Sequence, residues 1–126
     1  MNPAGIPTAP AYTAVIKAGQ MVFVAAQVGA VKNGKVVSVG NPEQQVREIW
    51  QHLDIALAAA GGTRNDIVAT WSYITKPEYS QYVTKVRVEL FPNQPPTTSK
   101  PLVVTAVHPN PDYLVSISCI AVIPPK

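Results

Sequence analysis

Apolar residues recur along the chain in short runs rich in Val, Ile and Phe, a pattern typical of β-strands. The predicted strands are residues 12–17, 21–28, 28–32, 35–39, 67–75, 101–107 and 113–123. Gly19 and its neighbours predict a hairpin turn between the first two strands. Asn33-Gly34 predicts a type I′ turn between the next two, because both residues tolerate positive φ.

Two stretches instead repeat their apolar residues at helical spacing. The first helix starts at Asn41 and Pro42, which suit the N-cap and the first helical position, with a capping-box glutamine at Gln44. It ends at Gly61-Gly62, and its apolar stripe is Val46, Ile49, Trp50, Leu53 and Leu57. The second helix runs from about residue 77 to 91, with Thr75 and Glu78 as a capping box. Its apolar face is Tyr79, Tyr82, Val83, Val86 and Leu90.

The order of strands, helix, strand, helix and two strands indicates an α+β fold with a single domain over residues 1–126. Two amphipathic helices each bury one face, and a single sheet offers the same face to both. Residues 1–11 contain three prolines and are predicted to form an N-terminal arm. The opposite face of the sheet carries no helices and is expected to be covered by another subunit, which favours a homo-oligomer.

Charged residues make up only 13% of the chain, against about 25% in an average soluble domain. A small domain with so few charges is expected to cover part of its surface with other subunits. The net charge of +3 comes from ten basic residues that form no stripe. Nucleic-acid binding usually needs such a stripe, so no nucleic-acid partner is expected.

The single cysteine, Cys119, lies in an apolar strand pattern, so no internal disulfide framework is expected. A reducing, cytoplasmic setting fits this. The N-terminal residues lack the charged start and apolar run of a signal peptide. The longest apolar runs fall short of the ~18 residues that a membrane span needs, so no membrane partner is expected.

The sequence offers few residues for metal or acid–base chemistry. His52, on the polar side of the first helix, and His108, in a turn, lack ligand partners at useful spacing, so no metal site is predicted. No phosphate-binding or dinucleotide motif is present, and no cofactor is expected. Cys119 has no obvious histidine partner, and the seven acidic residues include no convincing pair for acid–base catalysis.

The segment 95–104, PPTTSKPLVV, carries a lone cation at the entrance of an apolar strand. Its prolines restrict φ, and Lys100 is biased toward an extended conformation because it precedes Pro101. A single ammonium group in this setting suggests a site for an anionic ligand. The simpler interpretation is a solvated lysine at a strand start, since exposed lysines are common.

The last two strands are predicted to form a hairpin centred near Asn110, so that side chains alternate between two faces. One face, suited to packing on helices, consists of Val115, Ile117, Cys119 and Ala121. The other consists of Lys100, Leu102, Val104, Ser116 and Ser118, with Leu102 opposite Ser118 and Val104 opposite Ser116. Hydroxyls and one ammonium over apolar walls are typical of a small-molecule pocket. The simpler interpretation is that the serines are ordinary half-exposed strand residues.

The order of elements and several local runs resemble the Rid (reactive-intermediate deaminase, YjgF-like) superfamily over nearly the whole chain. The runs that carry the resemblance are residues 10–12, 23–27, 45–61, 66–68 and 120–122. The resemblance implies a chorismate-mutase-like fold, in which two helices pack on one face of a mixed sheet. It also implies a homotrimer with a barrel-like core and pockets at the subunit interfaces, which hydrolyse an enamine or imine to a ketone and ammonia.

In deaminase members of the family, an arginine after a proline-rich loop binds the substrate carboxylate. Alignment from the His108-Pro109 turn puts this position on Lys100. Alignment from the last strand puts it on Pro101, and the Pro-x-x-Ser pattern puts it on Thr98. Lys100 is favoured because it alone keeps the cation, although a lysine orients a carboxylate less tightly than the planar arginine fork.

The other family positions depart further. The position of the family glutamate, which positions or activates water, falls on Ser116. The serine and glycine of the Ser-Gly-Gln run appear as Ala25 and Ala26, and an asparagine of the second helix appears as Val83. Only Tyr12 is retained. Loss of a positioned acid or base typically removes about 10²- to 10⁴-fold in rate, so efficient deamination of small 2-imino acids is not expected.

The sequence therefore predicts a small-molecule enzyme of the Rid type that hydrolyses an imine or enamine at an interface pocket. The predicted catalytic residues are Lys100, Ser116 and Tyr12. The predicted substrate-binding residues are Ala25, Ala26, Val83, Leu102 and Ser118. One alternative is a different reaction in the same pocket, such as tautomerisation, cyclisation, a lyase step or another hydrolysis. The other is a trimer that binds a ligand or partner without catalysis.

Overall fold

A computed structural model describes residues 1–7 and 9–125. The described residues form two α-helices, α1 (Pro42–Ala59) and α2 (Ser80–Leu90), and eight strands. The strands are β1 (Val15–Ala18), β2 (Met21–Gln27), β3 (Val31–Lys32), β4 (Lys35–Val36), β5 (Ile67–Ile74), β6 (Thr97–Thr98), β7 (Leu102–Val103) and β8 (Val115–Val122). Two short 3₁₀-helices, Arg64–Asp66 and Pro77–Tyr79, precede β5 and α2.

Six strands build one mixed sheet in the order β1-β2-β8-β5-β6, with β7 also paired to β5. The hairpin β3–β4 is separate, and its turn places both Asn33 and Gly34 at positive φ, as predicted. Both helices pack on one face of the large sheet, which confirms the predicted fold class. Among the described residues, no helix is both long enough and apolar enough to cross a membrane.

The core lies between the helices and one face of the sheet. The predicted stripe of α1 is buried, and so are the predicted inward residues of β8, which are Val115, Ile117, Cys119 and Ala121. The N-cap of α1 is confirmed, because Asn41 Oδ1 accepts a hydrogen bond from Gln44 N at 3.0 Å. The predicted cap of the second helix is wrong. Thr75 Oγ1 donates instead to the carbonyl of Leu114 at 3.3 Å, and no side chain caps the 3₁₀-helix before α2.

The predicted hairpin of the last two strands is also wrong, because β5 lies between them. Tyr73 on β5 pairs in parallel with Leu102 on β7 and in antiparallel with Ser116 on β8. The physical reason is the helical crossover: α2 connects β5 to β6 and β7, and strands joined through a helix run parallel. Leu102 therefore does not face Ser118, whose partner is Trp71.

The face of the sheet away from the helices carries exposed apolar side chains. Strand register places Ile16, Phe23 and Trp71 on this face, with exposed fractions of 52%, 40% and 37%. Leu102 extends the row beside Tyr73 and is 54% exposed. We call this surface, formed by Ile16, Phe23, Trp71 and Leu102, the open sheet face. It is the face for which the sequence predicted a cover.

Candidate functional site

A cavity of about 630 Å³ lies at one end of the sheet, between the N-terminal arm, the end of β2 and the start of β8. Its described lining is Pro7, Ala9, Ala11, Tyr12, Ala25, Ala26, Val28, Val107, His108, Pro109, Tyr113 and Ser116. The walls are mainly apolar, and the polar groups are two phenols, an imidazole and a hydroxyl. This composition is typical of a small-molecule pocket.

Four of the predicted site residues meet in this cavity, although they come from three distant parts of the chain. Tyr12 comes from the end of the arm, Ala25 and Ala26 from β2, and Ser116 from β8. Ser116 lies on the side of β8 away from the helices and is 6% exposed. The structure thus brings these four positions together around one cavity.

A β-bulge carries Ala25 and Ala26 into the cavity. The register between β2 and β8 shifts between Val24 and Gln27, so the two alanines leave the regular ladder. The bulge is held from both sides, because Ala25 N donates to the Ala14 carbonyl at 2.9 Å and Gln27 Nε2 donates to the Ala25 carbonyl at 3.1 Å. Bulges often redirect side chains beside binding sites in this way.

The arm folds back along β1 and forms the opposite wall. The amino group of Met1 donates to the Val15 carbonyl at 2.6 Å, and Val15 N donates to the Met1 carbonyl at 3.0 Å. Asn2 Oδ1 accepts from Ala14 N at 2.9 Å. These bonds hold the start of the chain against the sheet edge, and Tyr12 stands at the cavity with 48% of its surface exposed.

The remaining predicted residues lie away from the cavity. Lys100 is exposed in the loop between β6 and β7, and Leu102 follows it on the open sheet face. Ser118 is partly exposed beside Trp71. Val83 is 6% exposed and belongs to the hydrophobic core under α2, so in this chain it offers a ligand no surface.

Arg87 anchors the segment that leads to Lys100. Its Nη1 donates to Thr70 Oγ1 at 2.6 Å, and its Nη2 donates to the carbonyl of Pro96. Burial lowers the pKa of Arg87, since desolvation disfavours its charged form. The guanidinium thus attaches the proline-rich segment to β5, which gives the Lys100 loop a defined starting point.

Sequence reasoning missed two side chains of the cavity, Tyr113 and His108. Tyr113 is 7% exposed and packs with Val36 and Val107 in a second, smaller core cluster. Burial raises the pKa of Tyr113, and the nearby Tyr12 phenol adds to that shift. His108 was predicted to be an ordinary turn residue, but it lines the cavity. No local signal identified either residue, because both lie in a turn-rich segment whose position depends on distant contacts.

Several kinds of chemistry have no support among the described residues. No group of three or more His, Cys, Asp or Glu side chains lies together in a metal-binding arrangement there. Cys119 is buried, and burial raises the pKa of its thiol to about 12, so it is not a nucleophile at neutral pH. The described lining of the cavity contains no carboxylate.

The fold and the cavity together define a class of α+β protein in which a sheet edge, an arm and a bulge enclose a mainly apolar cavity. The chain belongs to the Endoribonuclease L-PSP family, also known as the YjgF/Rid family, whose model matches residues 4–123. This confirms the resemblance found in the sequence.

Individual relatives agree with this assignment. The RutC family protein YjgH of Escherichia coli (strain K12) is 36% identical over 85 residues, which cover 67% of this chain and 63% of that protein. The chain thus matches less than two thirds of the length of that relative. The 3-aminoacrylate deaminase RutC of Acinetobacter baylyi (strain ATCC 33305 / BD413 / ADP1) is 29% identical over 117 residues, which cover 91% of this chain and 88% of that protein.

Solved structures show the same fold. The structure of protein YJGH matches with a TM-score of 0.81 at 32% identity, covering 99% of this chain and 95% of that chain. Rv2704 from Mycobacterium tuberculosis, a member of the YjgF/YER057c/UK114 family, matches with a TM-score of 0.77 at 29% identity. The match covers 90% of this chain and 88% of that chain.

Proposed function

We propose that this protein is an enzyme that hydrolyses the C=N bond of an imine, or an enamine through its imine form, on a small anionic or polar metabolite. The observation that carries the proposal is the convergence of Tyr12, Ala25, Ala26 and Ser116 on one cavity. These are the positions that the resemblance to the deaminase family assigns to the site. The similarity to a 3-aminoacrylate deaminase supports the same reaction class.

In the proposed reaction, water adds to the imine carbon, the nitrogen leaves as ammonia, and the carbon becomes a carbonyl. Tyr12 and Ser116 would hold the substrate and the water by hydrogen bonds. Because no carboxylate lines the described part of the cavity, no strong base stands ready to activate the water. A positioned base contributes about 10²- to 10⁴-fold, so turnover of simple 2-imino acids would be slow.

The proposal includes a homotrimer in which a neighbouring copy completes the site. Tyr73 separates Ser116 from Leu102 in the sheet, so these side chains lie about 10 Å apart within one chain. Lys100, two residues before Leu102, is exposed at the same edge. A second copy docked on the open sheet face would bring its own Lys100 toward the cavity as the anion-binding cation.

The first experiment measures hydrolysis of imines that an amino-acid oxidase generates in place, together with 3-aminoacrylate, by following ammonia release. Ser116→Ala, Tyr12→Phe and Lys100→Ala are expected to reduce the rate. Lys35→Ala, which removes an exposed lysine from the separate β3–β4 hairpin, is the matched control and should not. If none of these substrates is hydrolysed faster than in buffer, the proposed reaction is wrong.

A second experiment measures the mass of the assembly by light scattering. The trimer predicts three times the 13.5 kDa of one chain. A charge substituted into the open sheet face, such as Phe23→Glu, is expected to dissociate it, because burying an unpaired charge at an interface is costly. A monomeric wild-type protein would contradict the shared site.

We propose further that nucleic acid is not the substrate, although the family description refers to an endoribonuclease. Support comes from the ten basic residues, which are dispersed along the sequence. Incubation with single-stranded RNA tests this directly. Cleavage that Ser116→Ala or Tyr12→Phe abolishes would show that the cavity serves RNA instead.

A further inference from the structure

Tyr113 presents a second phenol to the cavity beside Tyr12, and the sequence did not assign it any role. Both side chains line the same cavity, so one molecule bound there can meet both phenols. None of the hydrogen bonds among the described residues uses the Tyr113 hydroxyl. This hydroxyl is therefore available to a molecule in the cavity.

The backbone on both sides of Tyr113 is held by one buried glutamine. Gln45 on α1 is 0% exposed. Its Nε2 donates to the Asp112 carbonyl at 2.9 Å, and its Oε1 accepts from Leu114 N at 2.9 Å. Tyr113 N also donates to the Asn110 carbonyl at 3.1 Å. The peptide groups before and after Tyr113 are thus fixed, which sets the direction of its side chain.

The body of the Tyr113 ring is fixed as well. It packs against Val36 and Val107, with Val28 and Val104 at the margin of the same cluster. A phenol with a buried ring and a fixed backbone loses little conformational freedom when it binds a ligand. Such preorganised groups contribute more to affinity than mobile ones.

A site of the proposed kind needs directional donors. Lysine is a point charge on a flexible stem and orients a carboxylate loosely. A phenol O–H instead donates along a defined direction. An ordinary phenol is already protonated near neutral pH, and burial, with a smaller effect of Tyr12, raises the pKa of Tyr113 further, so its O–H is present to donate.

We infer that Tyr113 is a ligand-binding residue, and that its phenol acts with that of Tyr12 as a pair of donors to an acceptor oxygen of the ligand. The chemical class is a planar molecule with a carboxylate or carbonyl group, whose apolar part lies against the alanine and valine walls. This inference rests on the proposed function for its setting, but it concerns binding and not the reaction.

The test measures the affinity of benzoate by calorimetry for the wild-type protein and its variants. Loss of one hydrogen bond to the charged carboxylate of benzoate corresponds to about a 10- to 100-fold loss of affinity, and this is the change expected for Tyr113→Phe. Tyr79→Phe is the matched control, because Tyr79 is a partly buried tyrosine that packs on the main core away from the cavity. It should leave the affinity unchanged.

The double variant Tyr12→Phe/Tyr113→Phe gives a second readout. Two phenols on one acceptor act together, so their combined loss should differ from the sum of the single losses. His108→Gln addresses the other donor of the cavity. If His108→Gln abolishes benzoate binding while Tyr113→Phe does not, the imidazole is the donor and the inference is wrong.

The outcomes separate this inference from the proposed reaction. If Tyr113→Phe binds benzoate more weakly but the wild-type protein hydrolyses no imine, the binding role is supported and the proposed reaction is wrong. If the wild-type protein hydrolyses imines and Tyr113→Phe has the same kcat and KM, the proposed reaction is supported and the binding role of Tyr113 is wrong. Absence of benzoate binding to the wild-type protein also overturns it.

Discussion

Replacement of Gln45 by methionine tests the link between α1 and the cavity most directly. The side chain is fully buried and makes three hydrogen bonds, to the carbonyls of Ser38 at 3.0 Å and Asp112 at 2.9 Å and from Leu114 N at 2.9 Å. Methionine has a similar size and shape, so Gln45→Met leaves no large cavity. It removes the three hydrogen bonds. The Ser38 carbonyl still accepts from Asn41 N at 3.1 Å, whereas the Asp112 carbonyl and Leu114 N lose their partner.

The magnitude follows from how buried those groups are. A buried backbone group without a partner costs about 1–3 kcal/mol. Ser38 and Leu114 are only partly buried and Asp112 is exposed, so water recovers part of this loss. We therefore expect a decrease of about 2–4 kcal/mol in the free energy of unfolding. This is a large share of the roughly 5–15 kcal/mol typical of a domain.

Urea unfolding at one fixed protein concentration measures this change, because an oligomer's stability depends on concentration. Gln51→Met on the same helix is the control: Gln51 is exposed, and its replacement should change stability by less than about 0.5 kcal/mol. If Gln45→Met is as stable as Gln51→Met, the three hydrogen bonds do not hold the loop as argued.

Three further predictions concern single positions. Asn41→Ala should lower stability by about 1 kcal/mol because the cap of α1 is lost; an unchanged urea midpoint would contradict this. The Cys119 thiol should resist alkylation in the folded protein. Because its pKa rises from 9.0 to about 12, the unfolded thiol ionises first, and stability should fall above pH 9, by about 1 kcal/mol at pH 10. Cys119→Ala should remove that part of the alkaline slope, and identical slopes would refute it. Burial lowers the pKa of His52 below its usual 6.5, against smaller opposing effects of the Val28 carbonyl and Glu48. The unfolded chain then binds the proton first, so stability should fall as the pH drops below about 6.5. His52→Gln should show a shallower acid slope in the same urea titrations.

The polar side of α1 shows where reasoning from sequence fails. The sequence predicted that His52 lies on the polar side of this helix, and Gln45 and Glu48 are further polar residues of α1. The structure buries all three, with exposed fractions of 0%, 5% and 8%. The cause is the segment before α1, which covers this face: Glu48 accepts hydrogen bonds from Ala30 N at 2.9 Å and Ser38 Oγ at 2.5 Å. Polarity predicts exposure only where no other segment supplies matching donors.

The sequence by itself determined the features that depend on near neighbours. The cap at Asn41, the Asn33-Gly34 turn and the alternation along β8 were all predicted and are all present. Each rests on steric limits or on a repeat within one element, so the physical cause lies within a few residues. Strand alternation already placed Ser116 on a candidate pocket face, whereas Tyr12 was identified as a site position only through the resemblance to a family.

The tertiary structure decided which elements become neighbours. The insertion of β5 between β7 and β8 separates Leu102 from Ser118, and no local pattern encodes it. The same holds for Tyr113, which reaches the cavity because Gln45, far away in the sequence, holds its flanking peptides. Strand pairing and the burial of polar groups depend on contacts between segments distant in sequence, and those contacts exist only once the chain has packed.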